Sequence, residues 1–391
     1  MTPSARLQAA IDILEGLGAS SASADRFLKE WFAARRFAGS GDRRAIGEMV
    51  FRVLRHRASL AWRMNSESPR ALVIATLLND GVDPATVLTG GYGPAPLTPQ
   101  EQAVIAASPA PPPVHVKGEY PEWLEGELVR RFGDALVDEM SAFAGRAPVD
   151  LRVNTLKVTR GDVLATLKAD GFAAQAIGAH GIRCPAGTRN LDKHALYLSG
   201  AFEIQDLAAQ ISVEQSQVRP GMRVLDLAAG AGGKSLALAA AMEDKGEIIA
   251  CDTRGAALAE LEKRSQRAGA SIIRTHIVGQ APAGPFDLVF LDVPCSGSGT
   301  WRRQPELKWR LTPGRLAVLA ATQDQLLEQA AERTAAALVY ATCSILPREN
   351  QDRVEAFLAR NPAFQRVRPD FQASPAASGT DGFYAAFLTR N

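Results

Sequence analysis

The second half of the chain alternates short apolar runs with stretches of helical spacing, and this alternation constrains the fold more than any other feature. From about residue 200 onward it predicts five strands joined by turns and helices. The predicted strands are 223–227, 247–251, 272–278, 286–291 and 336–341, followed by a helix at 348–360 and a strand pair at 364–368 and 382–389. This pattern is typical of a doubly wound parallel sheet, whose ligands bind beyond the carboxyl ends of the strands.

A glycine-rich turn follows the first predicted strand. It is made of Ala228, Ala229, Gly230, Ala231, Gly232, Gly233 and Lys234. Asp252 ends the next strand, 252 − 232 = 20 residues after Gly232, and an acid so placed suits the two hydroxyls of a ribose. The spacing predicts a nucleotide-like cofactor, although it is not a full G-x-G-x-x-G pattern and no P-loop occurs. On this spacing NAD and S-adenosyl-L-methionine (SAM) both remain open.

Two cysteines follow the fourth and fifth predicted strands. Asp292 ends the fourth strand, Cys295 comes three residues later, and Cys343 follows the fifth strand. If the strand order is 3-2-1-4-5, these strands are neighbours and both thiols reach the edge that carries the glycine turn. Zinc usually takes four His or Cys ligands, and no others lie near in the sequence, so we expect no metal. A redox disulfide would leave Asp292 and the glycine turn unexplained. We expect chemistry on a bound substrate.

The first 90 residues or so are predicted to be helical and carry an uneven charge. The net charge of the whole chain is only +2, but residues 29–63 hold nine Lys and Arg against three acids, a local net of 9 − 3 = +6. A basic helical domain can bind RNA through its phosphates. An ordinary helical domain with solvated arginines fits this composition equally well.

The chain is predicted to form three parts. Residues 1–112 would be a helical domain ending in a Pro-rich linker or surface wrap between Leu88 and Pro113. Residues 113–200 would be a small α/β subdomain, with a helix from 121 to about 143, a strand at 149–156, and a helix at 160–170 with Gly171 as its C-cap. Residues 201–391 would hold the doubly wound sheet.

Composition excludes several protein classes. The chain has 391 residues, 46% of them apolar and 22% charged, as in globular proteins rather than disordered ones. It contains no apolar run long enough for a membrane span, and its N-terminus lacks the layout of a secretory signal. Four cysteines do not make a disulfide framework in a chain of this size. We therefore expect a cytoplasmic monomer with no membrane partner.

These segments resemble the Sun-type (RsmB-like) family of SAM-dependent RNA cytosine-C5 methyltransferases over about residues 115–391. The matching stretches are DLAAGAGGKS (226–235) with Asp252, LDVPCSGSGTWRRQPELKWR (291–310), ATCSILPREN (341–350), GTDGFYAAFL (379–388), GAFEIQDLAAQ (200–210) and LRVNTLK (151–157). The Pro-Cys and Thr-Cys motifs are the most specific of them. More loosely, AGSGDRRAIGEMVFRVLRHR (38–57) resembles the NusB-like domain in front of some RNA methyltransferases. The resemblance implies a Rossmann-like SAM-methyltransferase sheet behind a small RNA-binding α/β subdomain and an all-helical RNA-binding domain.

The resemblance also implies a reaction, in which a thiolate adds to C6 of cytosine so that C5 can attack the methyl group of SAM. It implies that Cys343 makes this attack, that Cys295 assists release of the product, and that Asp292 meets the N3/N4 edge of the base. The glycine turn, Asp252, Asp292 and Gln280 would hold SAM. The candidate RNA contacts are Arg152, Asn154, Arg302, Arg303 and Lys308.

The sequence departs from the family pattern at three places. Ala228 stands where a cysteine is common, and Gly230-Ala231 replace a usual Ala-Pro; backbone contacts to SAM should survive both. Gln280 stands where an Asp commonly meets the adenine amino group. Because glutamine can still accept that hydrogen bond, we expect SAM affinity to be altered rather than lost.

Three functions compete at this point. The first is an RNA 5-methylcytosine methyltransferase, acting on ribosomal RNA with transfer RNA left open. The second is a DNA cytosine-C5 methyltransferase, in which Cys295 would be the nucleophile. The third is a non-catalytic RNA-binding protein on a methyltransferase scaffold. The Thr-Cys-Ser motif and the basic front domain favour RNA, whereas the presence of both cysteines, Asp292 and Lys234 disfavours the third function.

Overall fold

The computed structural model describes residues 1–107, 110–279 and 282–391, which divide into two units. The first unit comprises Met1–Gly145 and Trp301–Arg310, and the second comprises Arg146–Thr300 and Leu311–Asn391. The first is helical and the second contains both sheets. The predicted three-part division stays a prediction; in the structure, residues 113–145 group with the N-terminal helices.

The helices and strands take the following bounds. The helices are α1 (Pro3–Gly18), α2 (Ala24–Ala33), α3 (Ser40–Arg55), α4 (Arg57–Met64), α5 (Pro69–Asn79), α6 (Pro99–Ala106), α7 (Val114–Lys117), α8 (Glu125–Phe132), α9 (Leu136–Ala144), α10 (Arg160–Ala169), α11 (Ala195–Leu198), α12 (Leu207–Glu214), α13 (Gly233–Ala241), α14 (Gly255–Ala268), α15 (Glu306–Arg310), α16 (Pro313–Arg333), α17 (Gln351–Arg360) and α18 (Pro375–Ser378). The strands are β1 (Val149–Val153), β2 (Gln175–Ile177), β3 (Gly181–Cys184), β4 (Phe202–Ile204), β5 (Arg223–Asp226), β6 (Glu247–Asp252), β7 (Ile273–Ile277), β8 (Phe286–Asp292), β9 (Thr334–Thr342), β10 (Phe364–Arg366), β11 (Phe371–Ala373) and β12 (Phe383–Arg390).

Small polar residues start the helices of the first unit. Thr2, Ser23 and Ser68 each accept a hydrogen bond from the backbone N–H three residues on, which satisfies a donor that the first helical turn leaves free. Apolar residues at helical spacing in α1 and α3 are buried in one core, namely Leu7, Ile11, Leu14, Leu17, Ile46, Val50, Val53 and Leu54. The prediction of a helical front region is confirmed.

A helix interrupts the segment predicted as a linker between Leu88 and Pro113. Thr98 and Glu101 form a reciprocal capping box at the start of α6, in which each side chain accepts a hydrogen bond from the backbone N–H of the other. The linker prediction is therefore wrong for Pro99–Ala106. Part of the predicted proline stretch, residues 108–109, lies outside the described residues.

The single helix predicted from 121 to about 143 is broken into two. Gly133 has φ +51° and ψ −128°, a conformation that helical hydrogen bonding cannot include and that glycine tolerates. A 3-10 turn at Gly133–Ala135 then joins α8 to α9. Apolar residues keep helical spacing throughout this stretch, so the sequence pattern did not indicate the break.

Helix α15 packs within the helical unit, although its sequence adjoins the cysteine loop. Trp309 donates its indole N–H to the Leu54 carbonyl at 2.6 Å, and Arg310 donates to the Ala22 carbonyl at 2.8 Å. Both contacts join residues more than 250 positions apart in the chain. The helical unit thus includes the second half of the stretch 291–310.

A small antiparallel sheet begins the second unit, with strand order β2-β3-β1-β4. Thr159 caps α10, and the helix ends at Asp170, its C-cap, followed by Gly171 at φ +84°. The glycine predicted as the cap is therefore the next residue, where the left-handed conformation is needed. The predicted strand at 149–156 is shorter, ending at Val153.

The large sheet has the order β10-β12-β9-β8-β5-β6-β7, with β11 paired to β12. The five strands β7-β6-β5-β8-β9 are mutually parallel, and β12 runs antiparallel to β9. This is the 3-2-1-4-5 order considered above, and the predicted α/β fold class is confirmed. Alternate residues of the central strands enter separate cores, with Val224 and Ile248 in one and Leu225 and Ile249 in the other. Burial on both faces explains the continuous apolar runs.

Candidate active site

The turn between β5 and α13 requires glycine at two positions. Gly230 and Gly232 have φ +56° and +83°, in the left-handed region that favours glycine. A Cβ on Gly232 would lie 1.9 Å from Cδ1 of Leu261, so this glycine also permits α13 and α14 to pack closely. The Ala229 N–H donates to the Cys251 carbonyl at 2.8 Å, which ties the turn to β6. The predicted turn is therefore fixed mainly by its backbone.

Asp252 ends β6 and holds this turn from the other side. Its Oδ2 accepts from the Gly230 N–H at 2.9 Å, and its Oδ1 accepts from the Arg254 N–H at 2.8 Å. The Arg254 guanidinium donates to both oxygens, at 2.9 and 3.2 Å. Burial raises the pKa of Asp252, but the hydrogen bonds from Arg254 and Gly230 outweigh burial and leave that pKa below its usual value. A ribose hydroxyl would have to displace the Arg254 side chain, which is 70% exposed.

Asp226 is an acid of this site to which the sequence analysis gave no role. It ends β5, is fully buried, and accepts a hydrogen bond at Oδ2 from the Ser235 hydroxyl at 2.6 Å. Its Oδ1 has no hydrogen-bond partner among the described residues. Burial raises the pKa of Asp226 to about 7, although the Ser235 hydrogen bond opposes this rise. An acid ending the strand before a glycine turn was the available signal.

Lys234 links the glycine turn to the cysteine loop. It is the second residue of α13, and its ammonium group lies 2.5 Å from Oδ2 of Asp292 at the end of β8. Burial lowers the pKa of Lys234, but the negative charges of Asp292, Cys343 and Asp226 outweigh burial and raise that pKa overall. Lys234 therefore stays an ammonium ion at neutral pH and bridges the cofactor turn and the predicted catalytic acid.

The two cysteines predicted to share an edge of the sheet do so. Their strands β8 and β9 are parallel neighbours, and the Sγ atoms of Cys295 and Cys343 lie 3.3 Å apart. The hydrogen bond with Cys343, followed by burial, raises the pKa of Cys295 well above its usual value. Gly299 donates its N–H to the Cys343 carbonyl at 2.9 Å and accepts from the Gly382 N–H at 2.8 Å, which fixes the loop between the cysteines.

Glu349 is a second acid that the sequence analysis did not select. It is fully buried behind the cysteine loops and accepts hydrogen bonds from Ser296 and Ser344, the residues that follow the two cysteines. The available signal was a serine directly after each cysteine, together with a glutamate 349 − 343 = 6 residues beyond Cys343.

One cavity of about 840 Å³ brings these groups together. It is lined by the glycine turn and by Lys234, Asp226, Asp252, Asp292, Cys295 and Cys343, among others. Its size is in the range of small-molecule and cofactor sites. Gln280, the predicted adenine contact, lies outside the described residues. All the predicted catalytic residues line this cavity. So do all the predicted cofactor residues in the described part of the chain except Gly232.

Two predicted RNA contacts in the small sheet are engaged internally. The Arg152 guanidinium donates to Gln205 at 2.7 Å, and burial lowers the pKa of Arg152 to about 10. The Asn154 amide donates to the carbonyls of Gly200 and Ala268 at 2.9 and 2.7 Å. In this structure both side chains hold β1 to the rest of the second unit and neither faces solvent.

The predicted RNA contacts after the cysteine loop belong to the helical unit. Arg302 and Lys308 are 5% and 1% exposed, and Arg303 is half-buried. The Lys308 ammonium lies 4.9 Å from the ring centroid of Trp309, and burial lowers the pKa of Lys308 to about 8. Arg302 and Lys308 are therefore buried within this unit, and their contact with RNA stays a prediction.

Two further features concern metal binding and membrane insertion. In the described part of the chain, no group of three or more His, Cys, Asp or Glu side chains is arranged to hold a metal ion. Across residues 1–107, 110–279 and 282–391, no helix combines the length and apolarity that a membrane span needs.

Comparison with known proteins identifies the family. The family model described as 16S rRNA methyltransferase RsmB/F matches residues 215–389, and the RsmF/B-like ferredoxin-like domain matches residues 120–186. Ribosomal RNA small subunit methyltransferase B of Vibrio vulnificus (strain YJ016) is 31% identical over 303 residues, covering 71% of this chain and 68% of the relative. This chain belongs to the RsmB/F methyltransferase family.

Solved structures share the RsmB/F fold. The crystal structure of PH0851 aligns over 99% of each chain, with a TM-score of 0.78 and 23% identity. NSun6 from Pyrococcus horikoshii with SFG aligns over 69% of this chain and 98% of its own, with a TM-score of 0.63 and 18% identity. At these identities the likeness shows the fold. The predicted Sun-type family is confirmed by the family models and the curated relative.

Proposed function

We propose that this chain is a SAM-dependent RNA cytosine-C5 methyltransferase that forms 5-methylcytosine in ribosomal RNA. The observation that carries the proposal is the pair of thiols, 3.3 Å apart, in the cavity that also contains the glycine turn. Two adjacent thiols suit a reaction in which one sulfur bonds the base and the other serves its release. The ribosomal RNA named for the Vibrio vulnificus relative supports the choice of substrate.

The cavity fits SAM. Three acids, Asp226, Asp252 and Asp292, line it. Negative charge on these acids complements a sulfonium ion, and Asp226, whose pKa is raised to about 7, contributes once it loses its proton. The Asp226 Oδ1, which has no hydrogen-bond partner among the described residues, offers a further acceptor. The glycine turn, Asp252 and Asp292 would hold the cofactor, with Arg254 moving away from the ribose position. When bound, SAM supplies an electrophilic methyl group on a positively charged sulfur.

The residues of the chain divide the remaining work. The Cys343 thiolate adds to C6 of cytosine, which makes C5 nucleophilic. Asp292, held by Lys234, meets the N3/N4 edge of the base. The Lys234 ammonium lines the same cavity as Cys343, and the charges of the two groups interact. After methyl transfer the C5 proton leaves to solvent water, and the C6–sulfur bond breaks to return the Cys343 thiolate; Cys295 assists this release.

RNA recognition requires a basic surface and an unstacked base, because the target carbon is not reachable inside a helix. The helical unit offers exposed arginines within the +6 stretch at residues 29–63, among them Arg36, Arg43 and Arg44. Phe37 beside them is 72% exposed. We assign phosphate contacts to this surface rather than to the buried Arg302 and Lys308.

A covalent trap tests the proposal. Cys295→Ala should still attack the base and transfer the methyl group but release product slowly, so a protein–RNA complex should survive on a denaturing gel after incubation with SAM and ribosomal RNA. Cys343→Ala should form no such complex and should lower the methylation rate about 1000-fold or more, because the covalent route is lost. The variant that combines Cys295→Ala and Cys343→Ala should also form no complex on the gel.

Cys184→Ala is the matched control, since Cys184 is buried in the small sheet away from the cavity. It should methylate RNA as the unaltered protein does. A complex that persists in Cys343→Ala and vanishes in Cys295→Ala would instead support the DNA-type assignment of the nucleophile. Absence of methylation and of any complex with every RNA offered would support a binding protein.

A further inference from the structure

Glu349 ties the two cysteine loops to one point. It ends the 3-10 turn Pro347–Glu349 and is fully buried. Its Oε1 accepts from the Ser296 N–H at 2.8 Å and from the Gln323 amide at 3.1 Å. Its Oε2 accepts from the hydroxyls of Ser296 at 2.5 Å and Ser344 at 2.6 Å. One carboxylate thus contacts the residue directly after each cysteine.

Neighbouring contacts make this arrangement rigid. The Ser298 and Ser344 hydroxyls lie 2.9 Å apart, and the Asn350 amide donates to the Ser344 carbonyl at 2.9 Å. The Tyr340 hydroxyl donates to the Glu349 carbonyl at 2.6 Å. All these groups are buried, so their hydrogen bonds do not exchange with water. The 3.3 Å separation of the two sulfurs is therefore set by a network centred on Glu349.

The four hydrogen-bond donors to the Glu349 carboxylate are neutral, so they do not cancel its charge. In a buried site this negative charge acts over several ångströms. It adds to the effects of the Cys343 hydrogen bond, burial and the Cys343 charge, which come first in raising the pKa of Cys295. Together with burial, it also raises the pKa of Tyr340 well above its usual value.

Other charged groups surround the thiols and act differently on them. On the cavity side, Lys234 interacts with Cys343 and forms its ion pair with Asp292, and Asp226 acts on the same lysine. On the far side, Arg353 lies near enough to affect Tyr340 but is paired with Asp324 at 2.6 Å. The charge of Lys234 thus interacts with Cys343 on the cavity side, and the charge of Glu349 acts on Cys295.

We propose that Glu349 is a positioning residue that fixes the two thiols against each other and keeps Cys295 protonated. It acts through Ser296 and Ser344 and through its charge, without touching the substrate. This assignment of roles rests on the proposed function, but the protonation of Cys295 is a property of the free protein. It can therefore be measured without RNA or SAM.

The test is the alkylation of each cysteine by iodoacetamide in the full-length protein between pH 6 and pH 10. Mass spectrometry of the Cys295 and Cys343 peptides gives a rate for each thiol, and its pH dependence gives an apparent pKa. In the unaltered protein, Cys295 should titrate above the ordinary range of a thiol. In Glu349→Gln, which keeps the shape and removes the charge, the apparent pKa of Cys295 should fall by about one unit, a tenfold faster reaction at pH 8.

Glu328→Gln is the matched control, because it removes a carboxylate of α16 that pairs with Arg360 instead. It should leave both titration curves unchanged. An unchanged Cys295 titration in folded Glu349→Gln would overturn the charge role and reduce Glu349 to a structural brace. If Glu349→Gln does not fold, the unaltered protein decides: an apparent pKa of Cys295 at or below the ordinary thiol value of about 8.5 refutes the proposal. If the titrations are as expected but no covalent protein–RNA complex forms, only the proposed reaction is refuted.

Discussion

Strands β5 and β6 each end in an aspartate, but the pKa of one is raised and the pKa of the other is lowered. Asp226 and Asp252 both end a central parallel strand, and both line the cavity. Burial raises the pKa of Asp226 to about 7, because its one hydroxyl partner does not offset burial. Burial also raises the pKa of Asp252, but two backbone N–H groups and a guanidinium outweigh burial and lower that pKa overall. Burial and the number of hydrogen-bond partners decide the charge, and the position on the strand does not.

The difference separates two tasks within one cavity. Asp252 stabilises the glycine turn as an ion and holds its charge through Arg254, which is exposed and can move. Asp226 is fully buried and changes its charge near neutral pH. A positively charged ligand in the cavity favours the ionised form of both acids, but only Asp226 would have to lose a proton first.

The largest effect that would test this contrast is the pH dependence of stability through Asp226. Its folded pKa, about 7, lies above the unfolded value of about 3.9, so between these values the unfolded chain binds fewer protons. Stability must then fall as pH rises. Over the two units from pH 5 to pH 7, the free energy of unfolding should fall by about 3 kcal/mol. Asp226→Asn should therefore lose about 3 kcal/mol less than the unaltered protein between pH 5 and pH 8.

Urea unfolding at the two pH values measures this difference. The comparison is between the two proteins, because other groups titrate equally in both. Parallel losses in the unaltered protein and Asp226→Asn would mean that Asp226 is ionised throughout, and the contrast with Asp252 would disappear.

A smaller effect is expected on cofactor binding from Asp252. Asp252→Ala removes the acid assigned to the ribose and should weaken SAM binding by about 1–3 kcal/mol, the scale for hydrogen bonds to a charged group. Isothermal calorimetry with SAM and with NAD measures this effect. Asp287→Ala is the control, since Asp287 lies at the opposite end of β8 and contacts Arg223. Tight binding of NAD with no heat from SAM would contradict the cofactor assignment.

The smallest effect should have the opposite sign. Arg254→Ala removes the guanidinium that occupies Asp252, so SAM should bind more tightly, by less than about 1 kcal/mol because the ion pair is exposed. The same titration measures it. Weaker binding in Arg254→Ala would show that Arg254 contacts the cofactor itself rather than competing with it.

Much of the fold could be predicted because burial on both faces of a parallel sheet produces apolar runs that are visible in the sequence. The strand order brought Cys295 and Cys343 together as predicted. The failures concern local chemistry that apolar spacing does not reveal. The capping box at Thr98 starts a helix inside a proline-rich stretch, and Gly133 breaks a continuous helical pattern.

The candidate site was predictable as far as residue types at strand ends identify it. Charge state and exposure were not, because both depend on partners distant in the chain. The sequence suggested that Lys308 was a surface charge, whereas Trp301 and Trp309 surround it. Glu349 lies in a quoted motif, but its contacts with Ser296 and Gln323 come from other elements.

The position of α15 has a consequence for synthesis on the ribosome. Leu54, Ala22 and Ala24 find their partners in Trp309, Arg310 and Glu306, so the helical unit lacks these hydrogen bonds until residue 310 has emerged. That is 310 − 145 = 165 residues after the end of its first segment. At about 5–20 residues per second, the nascent helices wait roughly 8–33 s for their last element. During this interval residues 146–300 of the second unit are already being made, so the first unit is completed only after much of the second has been synthesised.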